Sequence, residues 1–279
     1  MRDGSIEQEA LAAACAVAVE QDVPCGQAGV AHAGSNVLVH LRPSPVVARV
    51  MTGTVALHDD PGLWLSREVA VLEFLAPSGL AVAPSPSIAP GPYQSDGLWM
   101  TFWEWVEHED RTELGDPERF GRALRDLHDA LSGFTGELGG LVDLERDIER
   151  LRRQLRPTAT LSAERIDSLG ERLRALGETV FCSSLPAQAL HGDASLYNLL
   201  TSTSGRPVWN DFEDTFRGPV HWDLAGYLIS LEQRGADPAF VAGALDAYGG
   251  IDEDELAPFV AAHGVYDEIW QSYDAQRRS

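Results

Sequence analysis

The spacing of apolar and polar positions gives the chain two textures. Near the N-terminus, LAAACAVAV is an apolar run flanked by Glu7 and Glu9 on one side and Gln21-Asp22 on the other. It is too short to span a bilayer and lacks the basic flank of a signal peptide. The expectation is an amphipathic or buried helix over residues 5–21, with Ser5 and Gln8 as a capping box. Residues 26–34 are small and flexible in composition. NVLVHL then alternates, RPSP turns the chain, and VVARVM is rich in β-branched residues, which predicts two paired strands. Residues 63–75, LWLSREVAVLEFL, repeat apolar positions at helical spacing. Residues 76–97 are rich in Pro, Gly and Ser and predict loop with at most one short strand. LWMTFWEWV reads as an aromatic strand.

From Asp116 the texture becomes helical. Asp116-Pro117 has an N-cap followed by Pro at the first helical position. Residues 140–155 and 161–177 read as charged amphipathic helices. Residues 187–211 return to short strand-like pieces. Residues 223–235, 237–249 and 252–273 read as three further helices, the last opened by Asp252 and Glu255 at capping-box spacing. The pattern predicts an α+β protein, with a small sheet-based lobe carrying one key helix (residues 1–106) and a larger, mainly helical lobe (residues 107–279).

Composition narrows the function classes. A chain of 279 residues that is 44% hydrophobic can bury a sizeable core. Its net charge is −22, and all 21 Lys-plus-Arg positions are Arg. That balance excludes a general nucleic-acid binder, which needs a basic face. It leaves a cationic partner or simply a well-solvated acidic surface. Cys15, Cys25 and Cys182 are odd in number and widely spaced, so neither a zinc site nor a disulfide framework is indicated, and a cytoplasmic location is expected. No apolar run is long enough for a membrane span.

The candidate chemistry lies in HGDASLYNLL followed by WNDFED. It supplies His191, Asp193 and Asn198, then Asp211 after a hairpin-like interval. Magnesium takes oxygen ligands and shares its shell with substrate phosphates. Asn198 and Asp211 can each offer it one oxygen, and a nucleoside triphosphate can complete the coordination. Asp193 remains to accept a hydrogen bond from an attacking hydroxyl. At an ordinary carboxylate pKa it would be a weak base, expected to orient the hydroxyl and take its proton late. The alternative is that His191 and Asp193 merely tie a turn together. A Ser-His-Asp triad is disfavoured because no GxSxG elbow exists. A His/Asp metallohydrolase would need more nearby histidines.

HGDASLYN, NDFED and HWDLA, in that order, resemble the aminoglycoside phosphotransferase family and its choline-kinase-like relatives. The resemblance implies a bilobal protein-kinase-like fold and an enzyme that uses ATP and Mg. It implies Asp193 as catalytic base, Asn198 and Asp211 as metal ligands, His191 as a structural loop residue, and Asp223 as a brace for the catalytic loop. A plain N-cap is the other reading of Asp223. In the first lobe Arg49 of VVARVM stands where the family usually has a phosphate-gripping Lys, with Glu68 as its ion-pair partner. Ser35 belongs to a weak phosphate loop, and backbone groups from Glu104 to Val106 are expected to meet adenine.

Glu213, Asp214, Asp267 and Trp270 are the candidate acceptor-binding residues, with Glu268 and Tyr273 nearby. Acids and aromatic faces together suit a cationic small molecule such as an aminoglycoside, and the family resemblance implies a role in antibiotic resistance. Acids that face water and aromatics that pack in the core are the other reading. The alternative functions are a non-catalytic nucleotide- or ligand-binding protein, suggested by Arg49 and the weak Gly loop, and a choline- or homoserine-kinase-like metabolic enzyme. A monomer or a homodimer fits either.

Overall fold

A computed structural model describes residues 3–55, 58–108 and 114–278. The chain divides into two compact units, Met1–Glu107 and His108–Arg277. Of the acidic stretch at 104–118, residues 109–113 lie outside the described residues.

The first unit is built on an antiparallel sheet of order β1-β2-β3-β5-β4. Its strands are β1 (Gly29–Ala33), β2 (Val37–His40), β3 (Val46–Met51), β4 (Tyr93–Ser95) and β5 (Leu98–Glu104). Successive side chains point to opposite faces. On one face Val37, Val39, Val46, Ala48, Val50, Met100 and Phe102 form a core with helix α1 (Asp3–Glu20). That helix contributes Ala10, Ala13, Ala14, Val17 and Ala18, a buried stripe at helical spacing. The opposite face carries Arg49 and Thr101, which are register partners across β3 and β5. Both reach Glu68 of helix α2 (Pro61–Leu75), which therefore covers that face. Asp60 starts α2, its carboxylate accepting from the Leu63 N–H at 2.9 Å.

Two local expectations change. Ser5 lies inside α1, where its hydroxyl donates to Glu9 at 2.7 Å, so it does not cap the helix. Residues 29–33 form a strand where composition suggested only flexibility. β1 is a half-exposed edge strand with an irregular register between Val30 and His32, and pairing with β2 holds it in place of intrinsic propensity.

The second unit opens with α3 (Pro117–Leu131), α4 (Leu141–Gln154) and α5 (Ala163–Val180), and closes with α6 (His221–Gln233), α7 (Pro238–Tyr248) and α8 (Glu253–Arg278). Asp116 caps α3 by accepting from the Glu118 N–H at 3.0 Å. Gly121 lets α3 and α7 touch closely, since a Cβ there would lie 2.0 Å from the Ala244 carbonyl oxygen. Every residue from His221 to Leu228 is buried, so α6 runs through the core of the unit. Asp252 accepts from the N–H groups of Asp254 and Glu255, which completes one half of the expected capping box.

Between α5 and α6 lie two small ladders. β6 (Gln188–Leu190) pairs with β9 (Phe216–Gly218), a strand the sequence pattern did not predict, and β7 (Leu199–Thr201) pairs with β8 (Pro207–Trp209). At three residues each, these strands are too short for period-two alternation to be informative. They position the candidate site.

Candidate functional site

The β7–β8 hairpin joins the residues that were far apart in the motif. Leu199 pairs with Trp209, so Asn198, just before β7, lies beside Asn210, just after β8. The Asn210 N–H donates to the Asn198 carbonyl at 3.0 Å. Asp211 comes next and holds a left-handed φ of 61°. A non-glycine residue in that region is uncommon and costs energy, which the surrounding contacts must offset.

His191 is part of that restraint. It is fully buried, and its Nε2–H donates to the Asn210 carbonyl at 2.9 Å. Because a carbonyl can only accept, Nδ1 is left to accept from the Asp193 N–H at 3.3 Å. The ring thus ties the loop that carries Asp193 to the segment that carries Asp211. Burial lowers its pKa, against the opposing effect of Asp223, in keeping with the neutral tautomer.

Asp223 fixes the same loop from below. Its two carboxylate oxygens accept from the N–H groups of His191 at 2.8 Å and Gly192 at 2.9 Å. It is not the N-cap of α6, since that position is Val220. His128 of α3 approaches Asp223 at 3.1 Å through Nε2 and Tyr248 of α7 at 2.9 Å through Nδ1. Burial acts to raise the Asp223 pKa, but the His128 hydrogen bond, nearby imidazoles and the Gly192 N–H together hold it below the usual carboxylate range. His128 lies in the last turn of α3, and its alignment with Asp223 and Tyr248 is a long-range product of the fold. Gly192 itself is required. Its φ is +91°, and a Cβ there would sit 1.9 Å from the Asp214 carbonyl oxygen.

Asp193 is partly buried. It accepts from Asn198 Nδ2 through Oδ2 at 2.8 Å, and its carbonyl accepts from the same nitrogen at 2.9 Å. Burial, and then the negative charge of Asp211, push its pKa up to about 7. This corrects the expectation of an ordinary, weak carboxylate base. The Asn198 nitrogen is consumed by these two bonds, so only the amide oxygen could serve as a metal ligand. Among the described residues no cluster of three or more His, Cys, Asp or Glu could hold a metal by itself. An amide oxygen beside a carboxylate fits magnesium only when other oxygens, such as phosphates, complete the shell.

A cleft opens at Asp193. Asp193, Ser195, Tyr197 and Asn198 line it from the loop, Gly226, Ser230 and Gln233 from α6, and His263, Asp267, Trp270 and Gln271 from α8. Of the four acceptor residues expected from sequence, Asp267 and Trp270 line this cleft. Glu213 is buried and does not line it, and Asp214 packs against Gly192. Glu268 is held by Arg165 and Arg172, and Tyr273 meets Trp270 at a tilt and does not line the cleft. The α6 contribution and His263 were missed, because a helix buried along most of its length and a lone histidine carry no local signal of a cleft.

The first unit holds the remaining candidates. Arg49 is 4% exposed, and its Nη1 lies 3.3 Å from Glu68 Oε2. Thr101 donates to the same oxygen at 3.4 Å and accepts from Trp103 Nε1 at 3.0 Å. The Ser35 carbonyl accepts from the Gly53 N–H at 2.7 Å, which ties the β1–β2 turn to the residues after β3. The Glu104 N–H already donates to Ala83, and the Trp105 N–H to Pro45. Val106 is partly buried just beyond β5.

No curated protein matches this sequence. Solved structures share its fold. The GDP and kanamycin complex of APH(2")-IIia superposes with a TM-score of 0.68 at 18% identity, over 94% of this chain and 95% of that one. The choline kinase LicA from Streptococcus pneumoniae gives 0.64 at 15% identity, over 91% and 87%. The amicoumacin kinase hAmiN, in complex with AMP-PNP, Ca2+ and Ami, gives 0.69 at 12% identity, over 88% and 80%. The family model described as "Phosphotransferase enzyme family" matches residues 35–259, a span that contains Arg49, Glu68 and the whole Asp193 loop. With most of its length matched by that model, this chain belongs to the APH phosphotransferase enzyme family.

Proposed function

We propose that this chain is a kinase that transfers the terminal phosphoryl group of ATP to a hydroxyl of a cationic natural product or metabolite. The observation that carries the reading is Asp193, a carboxylate with its pKa pushed up to about 7, at the cleft and bonded to Asn198. A base poised near neutrality can accept a proton from an alcohol at the pH where the enzyme works. Phosphoryl transfer otherwise asks mainly for positioning and charge neutralisation.

In this reading Asp193 receives the acceptor hydroxyl and removes its proton as the oxygen attacks phosphorus. Asn198 holds the Asp193 carboxylate in place with its nitrogen. Asn198 and Asp211 would hold magnesium, which when bound neutralises charge on the triphosphate. Arg49, fixed by Glu68, would contact the phosphates. Arg keeps a permanent charge and two parallel donors, although its reach differs from that of Lys. Ser35 and the backbone from Glu104 to Val106 would serve the rest of the nucleotide. Asp223 and His191 act only by holding the loop.

The structural relatives named above include kinases crystallised with an aminoglycoside and with amicoumacin, which supports an antibiotic as acceptor. A cytoplasmic setting is consistent with three cysteines that are all free. Among the described residues no helix is long and apolar enough to cross a membrane.

The test is turnover with Mg-ATP across a panel of hydroxylated amines, following phosphorylated product. Transfer to at least one acceptor, lost on omitting the divalent cation, is the expected result. Nucleotide binding without transfer to any acceptor would instead favour the non-catalytic reading.

A further inference from the structure

The first unit brings together two cysteines that stand ten positions apart in the sequence. Helix α1 ends at Glu20, and the chain reverses through Asp22, which holds a left-handed φ of 57°. The Val23 N–H then donates back to the Ala18 carbonyl at 2.8 Å. The returning segment is also fixed to the β2–β3 turn. There the Ser44 hydroxyl donates to the Pro24 carbonyl at 2.6 Å, and the Gln27 N–H donates to the Arg42 carbonyl at 2.9 Å. Cys25 is held between these anchors, beside α1. Its thiol donates to the Cys15 carbonyl with the sulfur 4.0 Å away, and it is a hydrogen-bonding neighbour of the Cys15 thiol. Both side chains are half-buried against the core that α1 shares with the sheet.

Two thiols side by side can do what one cannot. A single cysteine that attacks a small disulfide stops at a mixed disulfide, whereas a neighbouring thiol displaces the small half and closes a bridge. Burial, and then Cys25, push the Cys15 pKa up to about 11, so at neutral pH it keeps its proton and reacts slowly. The same property makes its sulfur a poor leaving group, so a bridge once formed opens slowly. A bridge here would also matter to the fold. The buried stripe of α1 is four alanines and one valine, each of which removes little apolar area from water. A covalent tie adds to what holds this helix.

We propose that Cys15 and Cys25 are an oxidation site, at which a low-molecular-weight disulfide converts the pair to an intramolecular bridge joining α1 to the segment that enters β1. Cys25 attacks first, since Cys15 keeps its proton. The oxidant S–S bond breaks, and the departing half takes up the proton that Cys25 gave. Cys15 then gives up its proton and attacks the Cys25 sulfur, and the second half leaves as a thiol. Two protein thiols are oxidised and one small disulfide is reduced to two thiols. The site is independent of the kinase reading, because α1 covers the sheet face opposite Arg49.

The test incubates the full chain with glutathione disulfide at about pH 8.5, where thiolate is available, and then alkylates and digests it for mass spectrometry. A Cys15–Cys25 cross-linked peptide, two hydrogens lighter than its parts, is expected. Cys182, exposed and in the other unit, should carry glutathione and so show that the oxidant acted. Cys15→Ser should stop at a glutathione mixed disulfide on Cys25. In a Cys182→Ser background the oxidised chain should melt higher than the reduced one, and a dithiol reductant should reverse the rise. Cysteines this near in sequence can also bridge in an unfolded chain, so the contribution of the fold is read in a glutathione redox buffer. The equilibrium constant for bridge formation should be at least about tenfold larger in the native chain than in urea. Cys15 and Cys25 recovered as free thiols, or as two separate mixed disulfides, beside a glutathionylated Cys182 would overturn the proposal. So would an oxidised form that melts below the reduced one, since the fold would then resist the bridge.

Discussion

At the residue scale, Asp193 has two measurable consequences. Its removal in Asp193→Ala should lower kcat by about 10²–10⁴-fold, the usual contribution of a positioned base, while the dissociation constant for Mg-ATP stays nearly unchanged. Its protonation also links stability to pH. Burial raises its pKa from the ordinary carboxylate value to about 7. The stability this group contributes is therefore fully present below the unfolded pKa and is lost as pH rises through about 7. Asp193→Asn should accordingly raise the melting temperature at pH 8 and have little effect at pH 4. Equal shifts at both pH values, read by calorimetry, would contradict the assigned pKa. Asp223 has the opposite sign. With its pKa held below the usual range, its stabilisation is present at neutral pH and lost only in strong acid. Asp223→Ala leaves two backbone N–H groups and His128 without their acceptor, and should destabilise the protein by about 3–5 kcal/mol at pH 7.

At the element scale, the loop between β6 and β7 depends on one backbone position. Gly192→Ala must relieve a contact of 1.9 Å with the Asp214 carbonyl at a φ that L-residues avoid. A loss of about 3 kcal/mol or failure to fold is expected, whereas Gly205→Ala, at a similar left-handed φ of +82° but with nothing within 4 Å, should cost only that backbone strain, about 1–2 kcal/mol. Much at this scale is legible in the sequence. The helices α2 to α8 declare themselves by apolar period, by Asp–Pro starts and by acidic caps, and Asn198 and Asp211 fall either side of a hairpin short enough to infer. The edge strand β1 and the three-residue β9 are not legible, because pairing partners rather than propensity hold them. The same limit applies to the cleft. Asp193 and Asn198 lie within one motif, but Gly226, Ser230 and His263 come together only through the packing of α6 and α8.

At the scale of the whole molecule, charge and core act in opposite directions. An excess of 22 negative charges repels itself in the folded state, and screening should relieve that repulsion. Raising salt from about 10 mM to 200 mM should increase the melting temperature, and a decrease would show that attractive ion pairs dominate. The acidic composition does not locate a cationic site by itself, since Glu213 is buried, Asp214 lies against Gly192 and Glu268 sits in ion pairs with Arg165 and Arg172. Family membership could be read from three short motifs because phosphoryl transfer fixes its polar groups locally, while acceptor choice is spread over distant helices.

The most direct test is a single-turnover measurement of phosphoryl transfer by the wild type and Asp193→Asn, with Mg-ATP and an acceptor that binds. The account predicts that the variant binds both ligands at near wild-type affinity and transfers at least about a hundredfold more slowly. Transfer at an undiminished rate would contradict it.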